Sequence, residues 1–178
     1  MSLSVIYNST NYLYNNIYNY KDLLNQYIKH DKSSPEGLFQ LAQMYFYGKS
    51  HPKDHEKTIS IINDIGPIYP EAYTFLGIAY IYGEDIEKDI DKGLDYLNKA
   101  AISGECDAIL FLSSIYLYTD YVPRDVNKAI ELLEQGVELG YDTSMVQLGL
   151  INMNAPYIEV NPQKAYELFS KADSLGNS

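Results

Sequence analysis

Tryptophan is absent from the 178 residues, cysteine occurs once, and basic residues are outnumbered, with 13 Lys and Arg against 24 Asp and Glu. Each scarcity excludes something. The single Cys106 cannot close an internal disulfide, which rules out the disulfide frameworks of small secreted domains. A reducing compartment is favoured, so a cytoplasmic location is expected. The shortage of cations leaves a formal charge of −11, which repels phosphate backbones and anionic headgroups. Neither nucleic acid nor a bare membrane is an expected partner; a basic or neutral one suits the chain better. Long apolar runs are missing too, since the richest stretch, Ala108 to Tyr118, ends at Thr119 and Asp120, short of the about 18 residues that signal a membrane span. Val5, Ile6 and Tyr7 lack a basic stretch before them and a small-residue cleavage site after them, so no secretory leader is expected. Asn8-Ser9-Thr10 spells a glycosylation acceptor that matters only on a secretory route.

What is present is enough apolar residue, 46%, to bury a core in one large or two small domains, with an excess of tyrosine, 19 Tyr beside 5 Phe. Self-similarity then organises the chain. Four segments superpose: Glu36 to Gly48 with Leu41, Ala42 and Tyr45; Glu71 to Gly83 with Ala72, Leu76, Gly77 and Tyr80; Asp107 to Tyr116 with Ala108, Leu112 and Ser113; and Ser144 to Gly149 with Leu148. Behind each comes a second block, opening on Asp54, Asp89, Asp125 and Asn161 with a Lys three residues on, at spacings of 35, 36 and 36 residues.

Each unit predicts two antiparallel helices. Ala72, Leu76, Gly77, Tyr80 and Gly83 share one helical face, and the small residues let a partner helix approach closely. The second helix opens on Asp54, Asp89, Asp125 or Asn161, whose side-chain oxygens accept the free N–H groups of a first turn, with Pro162 at the position proline favours. Its buried side carries Tyr96, Leu97 and Ala100, then Leu132, Leu133 and Gly136, then Leu168, Phe169 and Ala172. Gly104, Gly140 and Gly176 suit left-handed helix ends. Stepping back 35 residues from Asp54 reaches Asn19, followed by Leu23, Leu24, Tyr27 and Ile28, so residues 1–34 predict a degenerate unit or cap. Residues 35–178 predict four repeats, at about 35–69, 70–105, 106–140 and 141–178.

The run from Ala72 to Gly104, with Leu76-Gly77, Tyr80, Gly83, Asp89, Lys92 and Lys99-Ala100-Ala101, resembles the Sel1-like repeat family, a relative of the tetratricopeptide repeats. Departures are Gly66-Pro67 in place of the Ala-Ala helix end, Thr119 and Ala155 in place of the loop Gly, and Asn152 in place of the Tyr. The resemblance implies an all-α, right-handed α-solenoid of antiparallel helix pairs, acting as an adaptor that holds partners on its concave face.

Signatures of chemistry are few. The common nucleophile, dinucleotide, phosphate-loop and thiol-redox motifs are absent, and no enzyme, metal or cofactor is expected. His51 and His55 stand four apart, but Asp54 is the expected helix cap, so His51 falls in the loop and both rings are expected to be solvated. The acidic run Glu84, Asp85, Glu87, Asp89, Asp91, Asp95 lacks the Gly and terminal Glu of a calcium loop and predicts a solvated acidic loop. Cys106 is expected to be a small buried apolar residue.

With Leu41, Leu76, Leu112 and Leu148 in the core, the other side of the first helices is apolar. The first repeat places Phe39, Gln43, Phe46 and Tyr47 there, and the second Thr74, Ile78, Ile81 and Tyr82. The third adds Leu110, Ser114, Leu117 and Tyr118, and the fourth Val146, Leu150 and Met153. A contiguous apolar face of this kind marks an interaction site, and Tyr47, Tyr82 and Tyr118 add rings with hydrogen-bonding tips. The expected partner is a protein or peptide, basic or amphipathic, and one specific version is an immunity-type inhibitor of a basic toxin. Helix crowding or the Tyr-rich N-terminal segment would reduce this face if either covers it. Alternatives are a hydrolase of cell-wall fragments, for which Gln43, Thr74 and Ser114 are the only polar candidates, and self-association; the oligomeric state is not encoded in these motifs.

Overall fold

The computed structural model describes residues 33–49, 51–83, 85–154 and 158–176, and every regular element among them is an α-helix. First helices α1 (Pro35–Tyr47), α3 (Glu71–Tyr82), α5 (Cys106–Tyr118) and α7 (Asp142–Asn154) alternate with second helices α2 (His55–Ile65), α4 (Ile90–Ile102), α6 (Val126–Glu138) and α8 (Pro162–Gly176). The chain divides into two compact units, residues 1–89 with α1 to α3 and residues 90–178 with α4 to α8. Of the degenerate unit expected at 1–34, residues 1–32 lie outside the described residues, as do Glu84 and Ala155.

Local chemistry accounts for the helix starts. The Ser34 hydroxyl accepts the Gly37 N–H at 3.1 Å, with Pro35 at the first position of α1. Asp54 accepts the Lys57 N–H at 2.9 Å, and Asp125 and Asn161 accept those of Lys128 and Lys164 at 3.0 Å, as the spacing predicts. The same positions make a second bond that no side chain advertises. The backbone N–H groups of Asp54, Asp89, Asp125 and Asn161 donate to the carbonyls of Tyr45, Tyr80, Tyr116 and Asn152, at 3.0, 3.0, 3.1 and 2.8 Å. Each bond spans nine residues and pins the start of a second helix to the last turn before it, so loop length is constant while loop sequence varies. Because only main chain is used, Asn152 replaces the recurring Tyr without losing the tether.

Helix ends divide into glycine and non-glycine solutions. Gly48 and Gly83 take left-handed backbone at φ 69° and 72°. Thr119, at the same place after α5, is extended instead, and the Arg124 Nε donates to the Leu117 carbonyl at 3.1 Å, capping the open end. Gly104 and Gly140 donate to Ala101 and Val137, and the following Glu105 and Tyr141 donate to Ala100 and Gly136, the paired bonds of a Schellman end. Gly66 differs: it stays right-handed, and a Cβ there would lie 2.3 Å from the Tyr73 ring, so its role is close approach.

The core follows the periodicity. Leu76, Leu112 and Leu148 of the first helices and Ile62, Leu97 and Leu133 of the second are at most 1% exposed, each burial worth about 1.5–3 kcal/mol. Leu41, Leu132 and Phe169, also expected inside, are half-buried. In the first unit the Thr58 hydroxyl donates to the Ala42 carbonyl at 3.1 Å, joining α2 to α1. In the second, Gly149 lies under the Phe169 ring, where a Cβ would come within 2.6 Å, the close approach that a small residue permits.

Candidate functional site

The recurring Tyr, Asp and Lys form one interlocked assembly. The caps set Lys57 and Lys128 at the third position of their helices, and their ammonium groups reach back over the Tyr45 and Tyr116 rings, 4.3 and 4.7 Å from the centroids. Hydrogen bonding to these tyrosines raises both lysines above their ordinary 10.5. In the fourth repeat Asn152 stands where the ring would be, and Lys164 pairs with Glu134 at 3.0 Å instead. These residues build the scaffold.

The opposite side of the first helices is the candidate interface, and the structure sorts its expected members. Tyr82, Tyr118, Val146 and Met153 are 38, 46, 38 and 53% exposed. Tyr47, Ile78, Leu110, Ser114 and Leu150 are half-buried. Phe39, Gln43, Phe46, Thr74, Ile81 and Leu117 are buried, and their placement at a partner's contact surface is corrected: they pack within the protein. Phe39 and Phe46 meet Phe75 edge-on at 5.6 and 5.1 Å, and Tyr47 leans on the same ring at 6.1 Å. Ile81 and Leu117 precede the exposed tyrosines by one residue, about 100° around the helix, which turns them inside.

Charge adds a signal that was legible but not used. None of the four first helices contains a Lys or Arg, while each carries an acid in its first turn: Glu36, Glu71, Asp107 and Asp142. An acid there complements the helix dipole. In the second unit α5 and α7 start side by side. The Cys106 thiol lies 3.5 Å from the Thr143 hydroxyl, and the Tyr141 hydroxyl donates to the Gly104 carbonyl. Cys106 is therefore half-buried at a helix start, not the core residue expected; burial pushes its thiol up, with Asp107, Glu105 and Asp142 adding to the effect.

One other expectation changes. His51 and His55 are half-buried against aromatic rings, at 4.7 Å from Tyr45 and 5.3 Å from Phe46, and are not solvated loop residues. Alignment of the repeats explains this, because the same two positions hold Ile86 and Ile90, then Val122 and Val126. The acidic run is solvated as expected, with Asp85, Glu87, Asp91 and Asp95 exposed, but Asp91 and Asp95 stand in α4 and not in a loop; Asp85 pairs with Lys53, the Asp89 main chain is tied to Tyr80, and Asp95 pairs with Lys99 at 2.7 Å. Among the described residues no group of three or more His, Cys, Asp or Glu is placed to hold a metal, and no helix is long and apolar enough to cross a membrane.

Helix pairs repeated at this period, with a tether and caps held at fixed positions, define a protein of the α-solenoid class. The chain belongs to the Sel1 repeat family, whose model matches residues 35–60, 70–105, 106–141 and 143–177. Sel1 repeats generally mediate protein–protein interaction. Among solved structures, the chain is similar to a protective antigen present in uropathogenic Escherichia coli strains and displaying this repeat fold, at 22% identity and a TM-score of 0.64 over 82% of this chain and 32% of that one. It is similar to a Sel1 repeat protein from Oxalobacter formigenes at the same identity and TM-score, over 80% of this chain and 42% of that one. The chain thus spans less than half the length of either. No curated protein sequence matches it.

Proposed function

We propose that this chain is a non-catalytic adaptor that holds a protein or peptide, basic or amphipathic, against the side of its first helices turned away from the second helices, the side expected to be concave. The observation that carries this is the exposure of Tyr118, Val146 and Met153 on helices that bear acids and no cations. Large apolar side chains left in water along one face of successive repeats provide binding area, and tyrosine adds a hydrogen bond at low conformational cost. The net charge of −11 suits a basic partner, and an immunity-type inhibitor of a basic toxin, working in a reducing cytoplasm, is the specific form we favour. The hydrolase alternative gains no support: Gln43 and Thr74 are buried, and the Ser114 hydroxyl donates to the Leu110 carbonyl within its own helix. The test is affinity purification of the tagged chain and of its Tyr118→Ala, Met153→Ala variant from the native cell, followed by mass spectrometry. The reading predicts a protein that co-purifies with the parent and not with the variant, with unchanged circular dichroism for both; equal recovery refutes it.

A further inference from the structure

Resting on that reading, we infer that the second unit docks a cationic amphipathic helix in one direction, its basic end on Asp107 and Asp142 and its apolar side chains along Tyr118, Val146 and Met153. Direction comes from helix geometry. At about 100° per residue, Asp107, Ser114 and Tyr118 fall within about 40° of one another on α5, and so do Asp142, Val146 and Met153 on α7. α5 and α7 both run antiparallel to α6: Asp125 at its start is tied to Tyr116 near the end of α5, and Gly136 near its end lies against Ile109 and Ser144 near the starts of α5 and α7. The two helices are therefore parallel, with adjacent starts at Cys106 and Thr143. Both acids lie at one edge, and Tyr118 and Met153 lie about 16 Å away at the other. A helix of three turns spans that distance.

The sign of the partner follows from the charges that α5 and α7 themselves carry, the nearby Arg124 being held on the Leu117 carbonyl at the far end, away from both acids. No Lys or Arg occurs in α5 or α7, so an acidic segment would find no cation on either helix and would meet Asp107 and Asp142. A segment with lysines at one end and an aliphatic flank matches both halves of the face at once. Because long-range attraction between exposed charges is screened over about 10 Å at ordinary salt, the charged edge sets direction and choice, while the apolar half supplies affinity.

The test uses the full chain and a synthetic Leu- and Ala-based amphipathic helix with its lysines grouped at one end, beside the same peptide with glutamates in their place. By fluorescence anisotropy at low salt, the lysine peptide is expected to bind about tenfold more tightly than the glutamate peptide, and the gap narrows as salt rises. Asp107→Asn with Asp142→Asn, whose fold is checked by circular dichroism, lowers lysine-peptide affinity about fivefold and leaves the glutamate peptide no weaker. A nitroxide at the lysine end broadens the amide signals of Cys106, Asp107 and Asp142, and one at the other end broadens those of Tyr118 and Met153. Equal binding of the two peptides, or a nitroxide pattern in the reverse order, overturns the inference and leaves the interaction face standing. The face itself fails if Tyr118→Ala with Met153→Ala binds the lysine peptide as tightly as the parent, and the inference falls with it.

Discussion

Replacing Gly136 by alanine isolates the packing that closes the second unit. On helix propensity alone the change stabilises by about 1 kcal/mol, because alanine loses less backbone freedom in a helix than glycine. Tertiary contact opposes it. A Cβ at residue 136 would lie 2.1 Å from the Ser144 Oγ and 2.7 Å from its Cβ, with the Ile109 Cγ2 at 3.5 Å. Rotating the hydroxyl away relieves the first contact and leaves the second, so α6 and α7 must separate. Overpacking of this kind costs typically about 1–3 kcal/mol, and an overlap on a carbon fixed to the backbone belongs at the upper end. The net expectation is a loss of about 1–2 kcal/mol, a fall in Tm of about 2–8 °C for a chain of this length. Urea unfolding followed by circular dichroism measures it. Adding Ser144→Gly removes both clashing atoms and should recover at least about 1 kcal/mol beyond additivity. A Gly136→Ala variant as stable as the parent would refute the reasoning.

Other outcomes follow from the same contacts. Ser144→Ala alone should stabilise by about 1 kcal/mol in the same melts, since the Ser144 hydroxyl is buried with no hydrogen-bond partner among the described residues. Gly140→Ala, where φ is 87° and a Cβ would meet nothing within 4 Å, should cost about 1–2 kcal/mol through backbone strain alone, separating conformation from packing. Asp125→Ala removes the side-chain cap at the Lys128 N–H and should cost about 1 kcal/mol, with Asp125→Asn close to parental. Lys128 is held above its ordinary 10.5 in the fold, chiefly by Tyr116, so its contribution is fully present below that pH and is lost as pH rises through the raised value. Stability should therefore fall more steeply above pH 10.5 in the parent than in Lys128→Met, as measured by urea midpoints across that range.

The features legible in the sequence share a short range. Asp125 reaches an N–H three residues away, and Gly104 relieves a left-handed backbone at its own position, so both chemistries are written within one turn of chain. The His51 and His55 burial was legible too, through alignment with Ile86 and Ile90, because a repeat assigns each position the same environment. Cys106 was not. Its half-burial depends on Thr143, 37 residues away, meeting it across neighbouring helix starts. The candidate interface lies between these cases: the sequence marks an apolar side of each first helix, but Phe46 and Ile81 are inside while Tyr118 and Met153 are in water.

By itself, then, the sequence determined the all-helical repeat, its period, its caps and the lack of Lys and Arg in the first helices. Hydrogen bonds over three or four residues and the periodicity of apolar positions require no knowledge of distant neighbours. Tertiary structure alone decided which apolar side chains remained available to a partner. Neighbouring residues differ by about 100° around a helix, and the width of the strip left open depends on how closely the surrounding helices pack. In the second unit that distance is set where Gly136 meets Ser144 and Gly149 meets Phe169.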